Sequence, residues 1–415
     1  LGLWGEFLKS HFSKLIFYVF FFTFAFKAPV AHGFGTVGEV AEKPCAAKLV
    51  GKPITKFRIG SLNVENVFDP IVDTNQKDKQ FVPNAVRLLP FGPRGNKTGN
   101  IDWTREKLAI KVGQIARMVK GMGSPELMAM VELENNLVAR EILNAIGYDG
   151  YLMTHSPDER GVDVALFYKE TPNFQLRFRG RTVLKGEFYD AHASRDILEA
   201  GFVINQRHFL WGYVNHWPSQ MGPAEARVQA AQQLMAQAEL RTLQMEGIDP
   251  ESGYDLTPNI FALGDFNVID KDNPHPFARI LQASNQPVPF YDVGSEFRKS
   301  RKVSKKIKES IPPGTYYYVD PKGKNGEGKK TKTGTWNELD RIFVNSALLN
   351  AKNAIHVDPT SYQIIAPRFA SMQWTLDSGE KIWIPRPYDF SAEEVSETTG
   401  VSDHFGIVVD VIVEN

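Results

Sequence analysis

One cysteine, Cys45, stands among 415 residues, so no internal disulfide can form and a small disulfide-built scaffold is excluded. Cys45 follows Glu42-Lys43-Pro44, which is not the small-residue setting of a lipidated cysteine. Net charge is absent too: 48 Lys and Arg balance 48 Asp and Glu, so total charge points to no partner. There is no Gly-x-Ser-x-Gly elbow and no Gly-rich Lys-Ser/Thr phosphate loop, which argues against serine hydrolases and P-loop enzymes. No internal repeat is visible. Beyond the first thirty-odd residues, no segment is long and apolar enough for a transmembrane helix.

Charge is unevenly spread. Between Arg298 and Lys332, 12 Lys and Arg face three acids (Glu309, Asp320, Glu327), leaving 36 basic against 45 acidic residues elsewhere. The chain reads as a mildly acidic body with one basic stretch. At its start, Lys9 and Lys14 precede the uncharged run LIFYVFFFTFAF (15–26), and Ala31-His32-Gly33 offers small residues at cleavage spacing. Twelve uncharged residues fall short of the roughly 20 that span a bilayer. The pattern predicts a signal peptide over 1–33 and export, periplasmic or secreted, with an uncleaved N-terminal anchor as the alternative. Residues 34–55 read as a linker, and 56–415 as one composite domain with inserted loops near 69–100 and 298–335.

Hydrophobic residues make up 42% of the chain, enough for a large core. The segments 57–64, 126–133, 162–169, 208–216, 259–267, 339–345 and 405–413 read as strands, rich in β-branched and aromatic residues and often bounded by Gly, Pro, Asp or Asn. Thr104 can cap a helix that places Leu108, Val112, Ile115 and Val119 on one face and stops near Gly121. A second helix is expected from Asn135 to Ile146, ending at Gly147, and a third from Pro223 to about Met245. Strands with helices interspersed imply sheet layers with helices packed outside.

Polar residues recur at the ends of these strands: Asn63, Glu132, Asn215 with His216, Asp265 with Asn267, and Asp403 with His404. Such groups are not buried without partners, so a shared site at neighbouring strand ends is the economical explanation. Carboxylates, amides and imidazoles without a thiol favour a hard cation, Mg²⁺ or else Mn²⁺ or Ca²⁺. Such a cation polarises a phosphoryl oxygen. Asp265 is then a candidate to orient or deprotonate water, and a histidine to bind phosphate or protonate a leaving group.

SLNVENVFD (61–69), MVELENN (130–136), DERGVDVALFYK (158–169), VNHWPSQ (214–220), LGDFNVID (263–270), WNELDRIFV (336–344) and VSDHFGIVV (401–409) resemble, in order, the signature segments of the endonuclease/exonuclease/phosphatase superfamily. That superfamily holds pancreatic-type deoxyribonuclease, exonuclease III-type repair nucleases, inositol polyphosphate 5-phosphatases and neutral sphingomyelinases. The resemblance spans residues 57–413 and implies an α/β (α+β) fold: a four-layer sandwich, two mixed sheets face to face with helices outside. It casts Glu132 as the metal-binding glutamate, with Asn63 beside it and Asp403 contributing. Asp265 and Asn267 look like the pair that positions water and phosphate. His404 resembles the histidine on the scissile phosphate, with Asp340 as its orienting carboxylate. His216 resembles the second histidine of the deoxyribonuclease and phosphatase branches; exonuclease III-type enzymes carry tyrosine there, which counts against abasic-site repair. Arg160 and Asn215 are expected at the substrate phosphate, a loop ion pair with Asp158 or Glu159 being the alternative for Arg160.

The resemblance therefore implies a divalent-metal-dependent phosphoric ester hydrolase in which water attacks phosphorus directly. A nuclease-like phosphodiesterase acting on DNA or RNA is the first expectation. A phosphomonoesterase or a lipid phosphodiesterase of phosphoinositide or sphingomyelin type is the alternative, and a non-catalytic binding protein the third. No stable protein partner is implied, giving a monomer. The basic stretch could contact a phosphate backbone, and Tyr316-Tyr317-Tyr318 could stack on bases. A solvated Lys-rich loop, and alternating side chains in a strand leading to Trp336, are the preferred readings of the two.

Overall fold

The computed structural model describes residues 52–71, 81–83, 101–156, 158, 161–192, 194–319 and 334–414. All of them fall in one compact unit, Val37–Asn415; the other unit is Leu1–Thr36. The expected signal segment, Cys45 and Arg160 lie outside the described residues, as do most of 69–100 and positions 320–333.

Twelve strands build two six-stranded sheets. They are β1 (Lys56–Val67), β2 (Leu127–Leu133), β3 (Gly150–Met153), β4 (Asp163–Tyr168), β5 (Phe174–Thr182), β6 (Ile197–Ile204), β7 (His208–His216), β8 (Asp255–Asp265), β9 (Phe290–Asp292), β10 (Asp340–Asn345), β11 (Ile355–Ile365) and β12 (Gly406–Val413). The first sheet runs β11-β12-β1-β2-β4-β3 and the second β9-β10-β8-β7-β6-β5. Both are mixed. In the first, β1 is parallel to β2 and antiparallel to β12; in the second, β8 is parallel to β7 and antiparallel to β10.

Side-chain alternation sorts each strand between two cores. Phe57 and Ile59 of β1, Leu127, Ala129 and Val131 of β2, Leu210 and Val214 of β7, Phe261 and Leu263 of β8, and Ile342 and Val344 of β10 fill the space between the sheets. The residues of opposite parity face outward. Leu62, Val64, Met128 and Met130 meet helix α1 (Arg105–Gly121) and helix α2 (Asn136–Ile146). Trp211, Tyr213, Ile260, Ala262 and Phe343 meet the long helix α3 (Ala224–Glu246) through Ala231, Leu234 and Ala238. Each fully buried large aliphatic or aromatic side chain contributes about 1.5–3 kcal/mol, so a one-residue slip of any central strand would be prohibitive. The layers are helix, sheet, sheet, helix, as the fold class implies.

The helix signals act as expected. Thr104 accepts the Lys107 N–H at 3.4 Å to start α1. The Asn135 side chain caps α2, which ends at Gly147 with φ +68°. The basic segment differs from the expected loop: it contains a short helix over Lys305–Ser310 and a strand, Tyr316–Val319, paired with Gly334–Asn337. A second hairpin joins Ser371–Thr375 to Lys381–Pro385. No helix among the described residues is long and apolar enough to cross a membrane.

Candidate active site

Strand parity decides which polar residues reach the gap between the sheets. In β8 the inward series Phe261, Leu263 continues to Asp265; in β7 the series Leu210, Gly212, Val214 continues to His216; in β10 Asp340 precedes Ile342 and Val344. Asp265 pairs in register with His216 on one side and Asp340 on the other, so three functional groups form one row across the second sheet. Asn63 is the inward residue opposite Val131 in the first sheet.

Glu132 breaks this rule. By simple alternation it would point with Met128 and Met130 toward α1. A bulge interrupts the pairing of β2 on both sides at this point, and Glu132 takes φ +73°, a conformation that non-glycine residues rarely adopt. The carboxylate thereby turns inward: Oε1 accepts from Asn63 Nδ2 at 3.0 Å and Oε2 from the Asn66 N–H at 3.0 Å. Glu65 (φ +54°), Asn66 (φ +56°) and Asn267 (φ +52°) are likewise left-handed and border the same place. Local strain of this kind persists where surrounding structure enforces it.

Asn63 Nδ2 also donates to Asp265 Oδ2 at 3.1 Å, so one amide ties the two sheets together. Its oxygen accepts the Glu65 N–H at 2.9 Å, and a cation contact through Asn63 would use that oxygen's second lone pair. Asp265 Oδ1 accepts the Asn267 N–H at 2.8 Å. Burial pushes the Asp265 carboxyl up to about 7, Asp340 and Glu132 adding to it while His404 opposes. His216 Nε2 lies 3.7 Å from Glu132 Oε1 and 3.9 Å from Asp265 Oδ2.

His404 stands just before β12, its Nδ1 2.7 Å from Asp340 Oδ2 and its Nε2 3.9 Å from Asp403 Oδ1. Burial disfavours the imidazolium, but Asp340, Asp403 and Asp265 together raise its pKa well above the usual histidine range. Thr315 Oγ1 accepts the Leu339 and Asp340 N–H groups at 3.2 Å, and the Thr315 carbonyl accepts the Phe405 N–H at 2.8 Å. Thr315 thus holds both halves of the dyad.

The structure therefore brings Asn63, Glu132, His216, Asp265, Asn267, Asp340, Asp403 and His404 together. Asn215 is not among them. Parity places it on the outer face, fully buried, with Nδ2 on the Tyr213 carbonyl (3.1 Å) and Oδ1 accepting from Trp217 Nε1 (3.0 Å). Its amide shapes the turn after His216 and is spent on local bonds. Arg341, next to Asp340 in sequence, likewise points away, pairing with Asp292 and, at 3.3 Å, with Glu338.

Sequence pattern does not single out Glu65, Lys111 or Arg195, all of which adjoin the site. Glu65 receives the Tyr388 N–H at 2.7 Å, and burial with the nearby Asp403 charge pushes its carboxyl up to about 8. Lys111, wholly buried in α1, donates to the Val401 carbonyl at 2.8 Å and lies over the Tyr388 ring. Burial lowers its ammonium to about 8, against the raising charges of Glu65 and Asp403. Arg195 joins Asp158 (3.0 Å) to the Trp217 carbonyl (3.1 Å), which also accepts from Asn267 Nδ2 (3.1 Å). The only sequence signal for Glu65 is its place in SLNVENVFD; Lys111 and Arg195 have none.

Metal fit rests on the donor chemistry. Glu65, Glu132, Asp265 and Asp403 crowd carboxylates into one place, two of them with proton affinities raised by burial and mutual repulsion. A hard dication relieves that repulsion. Among the described residues no three acidic or imidazole groups close into a coordination cage.

Two facing mixed sheets thus carry a carboxylate-imidazole cluster at one end of the gap between them. The sequence profile of the endonuclease/exonuclease/phosphatase family matches residues 58–413, and the chain belongs to that family, whose members are phosphoesterase hydrolases. None of the curated proteins matches it. Among solved structures it is similar to an endonuclease/exonuclease/phosphatase family protein from Bacteroides thetaiotaomicron (15% identity, 88% of this chain and 100% of that one, TM-score 0.49). It is also similar to D. rerio TDP2 complexed with single strand DNA product (15% identity, 86% and 99%, TM-score 0.45). A third similar structure is a B. thetaiotaomicron mannosyl-6-phosphatase (15% identity, 86% and 99%, TM-score 0.46).

Proposed function

We propose that the protein is a divalent-metal-dependent phosphodiesterase of nuclease type, in which water attacks phosphorus without a covalent intermediate. The row His216, Asp265, Asp340 facing Glu132 across Asn63, with His404 on Asp340, carries this reading. Glu132, with Asp403 and Glu65 beside it, would hold Mg²⁺ (or Mn²⁺ or Ca²⁺), and the bound cation would neutralise charge on a phosphoryl oxygen.

Asp265 is fixed at both oxygens, by the Asn267 N–H and by Asn63 Nδ2, and its raised proton affinity suits a base near neutral pH. It takes a proton from the attacking water. His404, kept protonated by Asp340, directs Nε2 away from that partner and donates to a phosphoryl oxygen. His216 lies beside both Glu132 and Asp265 and hands a proton to the leaving oxygen. The water oxygen gains the new bond to phosphorus as the ester bond breaks.

The test is a substrate panel: plasmid DNA, RNA, bis-p-nitrophenyl phosphate, p-nitrophenyl phosphate and sphingomyelin, each with Mg²⁺, Mn²⁺, Ca²⁺ or EDTA. Diester turnover that stops on chelation is expected. Activity surviving complete chelation sinks the metal requirement, and turnover of the monoester alone reverses the substrate class.

A further inference from the structure

Lys111 lies in the middle of α1 with its side chain wholly buried. Its ammonium donates to the Val401 carbonyl at 2.8 Å and sits 4.2 Å from the centre of the Tyr388 ring and 5.4 Å from that of Phe390. The Val401 carbonyl is its only hydrogen-bond acceptor among the described residues. Burying an ammonium on one neutral oxygen is costly, and holding a segment of chain does not require it. Gln114, one turn further along the same face of α1, holds the same segment with a neutral amide: its Nε2 donates to the Ser396 and Gly400 carbonyls at 2.9 Å each. What sets Lys111 apart from Gln114 is its charge. The anionic groups around it are Glu65, Asp403 and Glu132, all members of the carboxylate cluster. Tyr388 joins the two sides, its ring lying on the ammonium while its N–H donates to Glu65 Oε2 at 2.7 Å. Val401, which takes the ammonium's hydrogen bond, stands two residues before Asp403.

We propose that Lys111 is a positioning residue, the fixed counter-charge of the carboxylate cluster, and that it holds the site to a single dication. The inference rests on the metal-dependent reading above and adds to it the number of cations the site takes. Glu65, Glu132, Asp265 and Asp403 repel one another, and that repulsion is what draws cations in. An ammonium fixed behind the cluster relieves part of it from the α1 side. It also raises the electrostatic cost of each arriving cation, most of all for a second one, which must overcome the first as well. An aromatic cradle suits this task, because the Tyr388 ring stabilises the buried charge without neutralising it as a carboxylate in direct contact would.

Isothermal titration calorimetry of Mn²⁺ into the full chain tests this without turnover. Equivalents that disappear in Glu132→Gln are assigned to the site, and the wild type should show one. Lys111→Met removes both the charge and the hydrogen bond. Lys111→Gln removes the charge but keeps a donor for the Val401 carbonyl, and decides the matter if Lys111→Met does not fold. Each variant should bind the first equivalent about tenfold more tightly and take up a second. A wild type that binds two equivalents overturns the counter-charge. Variants that keep a single equivalent, at whatever affinity, overturn it too; unchanged or weakened binding is what a mere strut for the segment 386–403 would give. Absence of any Glu132-dependent equivalent in the wild type overturns the metal reading itself and the counter-charge with it, so the two failures are told apart.

Discussion

His404 and Asp340 lie 64 residues apart, one just before β12 of the first sheet and the other opening β10 of the second, yet His404 Nδ1 sits 2.7 Å from Asp340 Oδ2. The carboxylate is fully buried and its other oxygen, Oδ1, has no hydrogen-bond partner among the described residues. A buried carboxylate with so little solvation depends on the imidazolium, and the imidazolium on it. Asp340→Asn keeps the shape and removes the charge that holds the proton on His404. Steady-state kinetics on bis-p-nitrophenyl phosphate should show kcat reduced about 10²–10⁴-fold with a smaller change in KM. Wild-type turnover would show that the pair is only structural.

Glu132 reaches the site through a strained backbone, and that arrangement makes sense if its carboxylate holds a cation. In a thermal melt the wild type should gain stability on addition of Mg²⁺ or Mn²⁺, by about 2.7 kcal/mol at a concentration a hundredfold above Kd. Glu132→Gln should melt near the metal-free wild type and respond weakly to the cation. An undiminished metal response in the variant would move the cation elsewhere.

The central strands were legible because alternation there is strong; most of the strands without a clear signal lie at sheet edges. β3, β5, β9 and β11 each border one neighbour only; β3 and β9 are only four and three residues long, and the other two mix charge or proline into the pattern, FQLRFRGRT in β5 and IHVDPTSYQII in β11. The sixth strand, β6, is central but carries Gly201, into whose missing side chain Trp211 packs. Within the site, parity alone assigns Asp265, His216 and Asp340 inward and Asn215 outward. Pattern cannot place Glu132, because a bulge reverses the parity at that residue. Lys111 and Arg195 act through carbonyls of distant loops, and a single chain read in order holds no trace of those contacts.

Asp196, whose carboxylate pairs with Arg181 and not with the carboxylate cluster, gives the fold a pH dependence of its own. Burial pushes its carboxyl up to about 6, against Arg181 at 3.1 Å. In the unfolded chain the value is about 3.9. The folded state therefore binds this proton more tightly. The contribution is full below about pH 4, is lost as pH rises toward 6, and changes no further above that. Urea midpoints of the wild type should fall over this window, and Asp196→Asn should flatten the decline by about 1–3 kcal/mol. Asp163, raised by burial in the same way, leaves a residual slope. An identical slope in the variant would show that Asp196 ionises normally.

Gly264 controls how closely β7 and β8 approach just before the row of functional groups. Its φ is +131°, a region essentially reserved for glycine, and a Cβ there would sit 2.0 Å from the Asn215 carbonyl oxygen. That oxygen belongs to backbone and cannot swing aside, so Gly264→Ala must push the strands apart where Asp265 and His216 begin. A cost of at least about 2 kcal/mol is expected, from strain and overpacking together, with turnover reduced in the fraction that remains folded. Gly253→Ala is the control. Gly253 has φ +82° in a turn, and its added Cβ meets nothing within 4 Å, so it should cost about 1–2 kcal/mol and leave turnover unchanged. Denaturant midpoints and specific activity of the two variants separate conformational cost from steric cost. If both lose the same stability and keep the same activity, close approach at Gly264 has no part in setting the site.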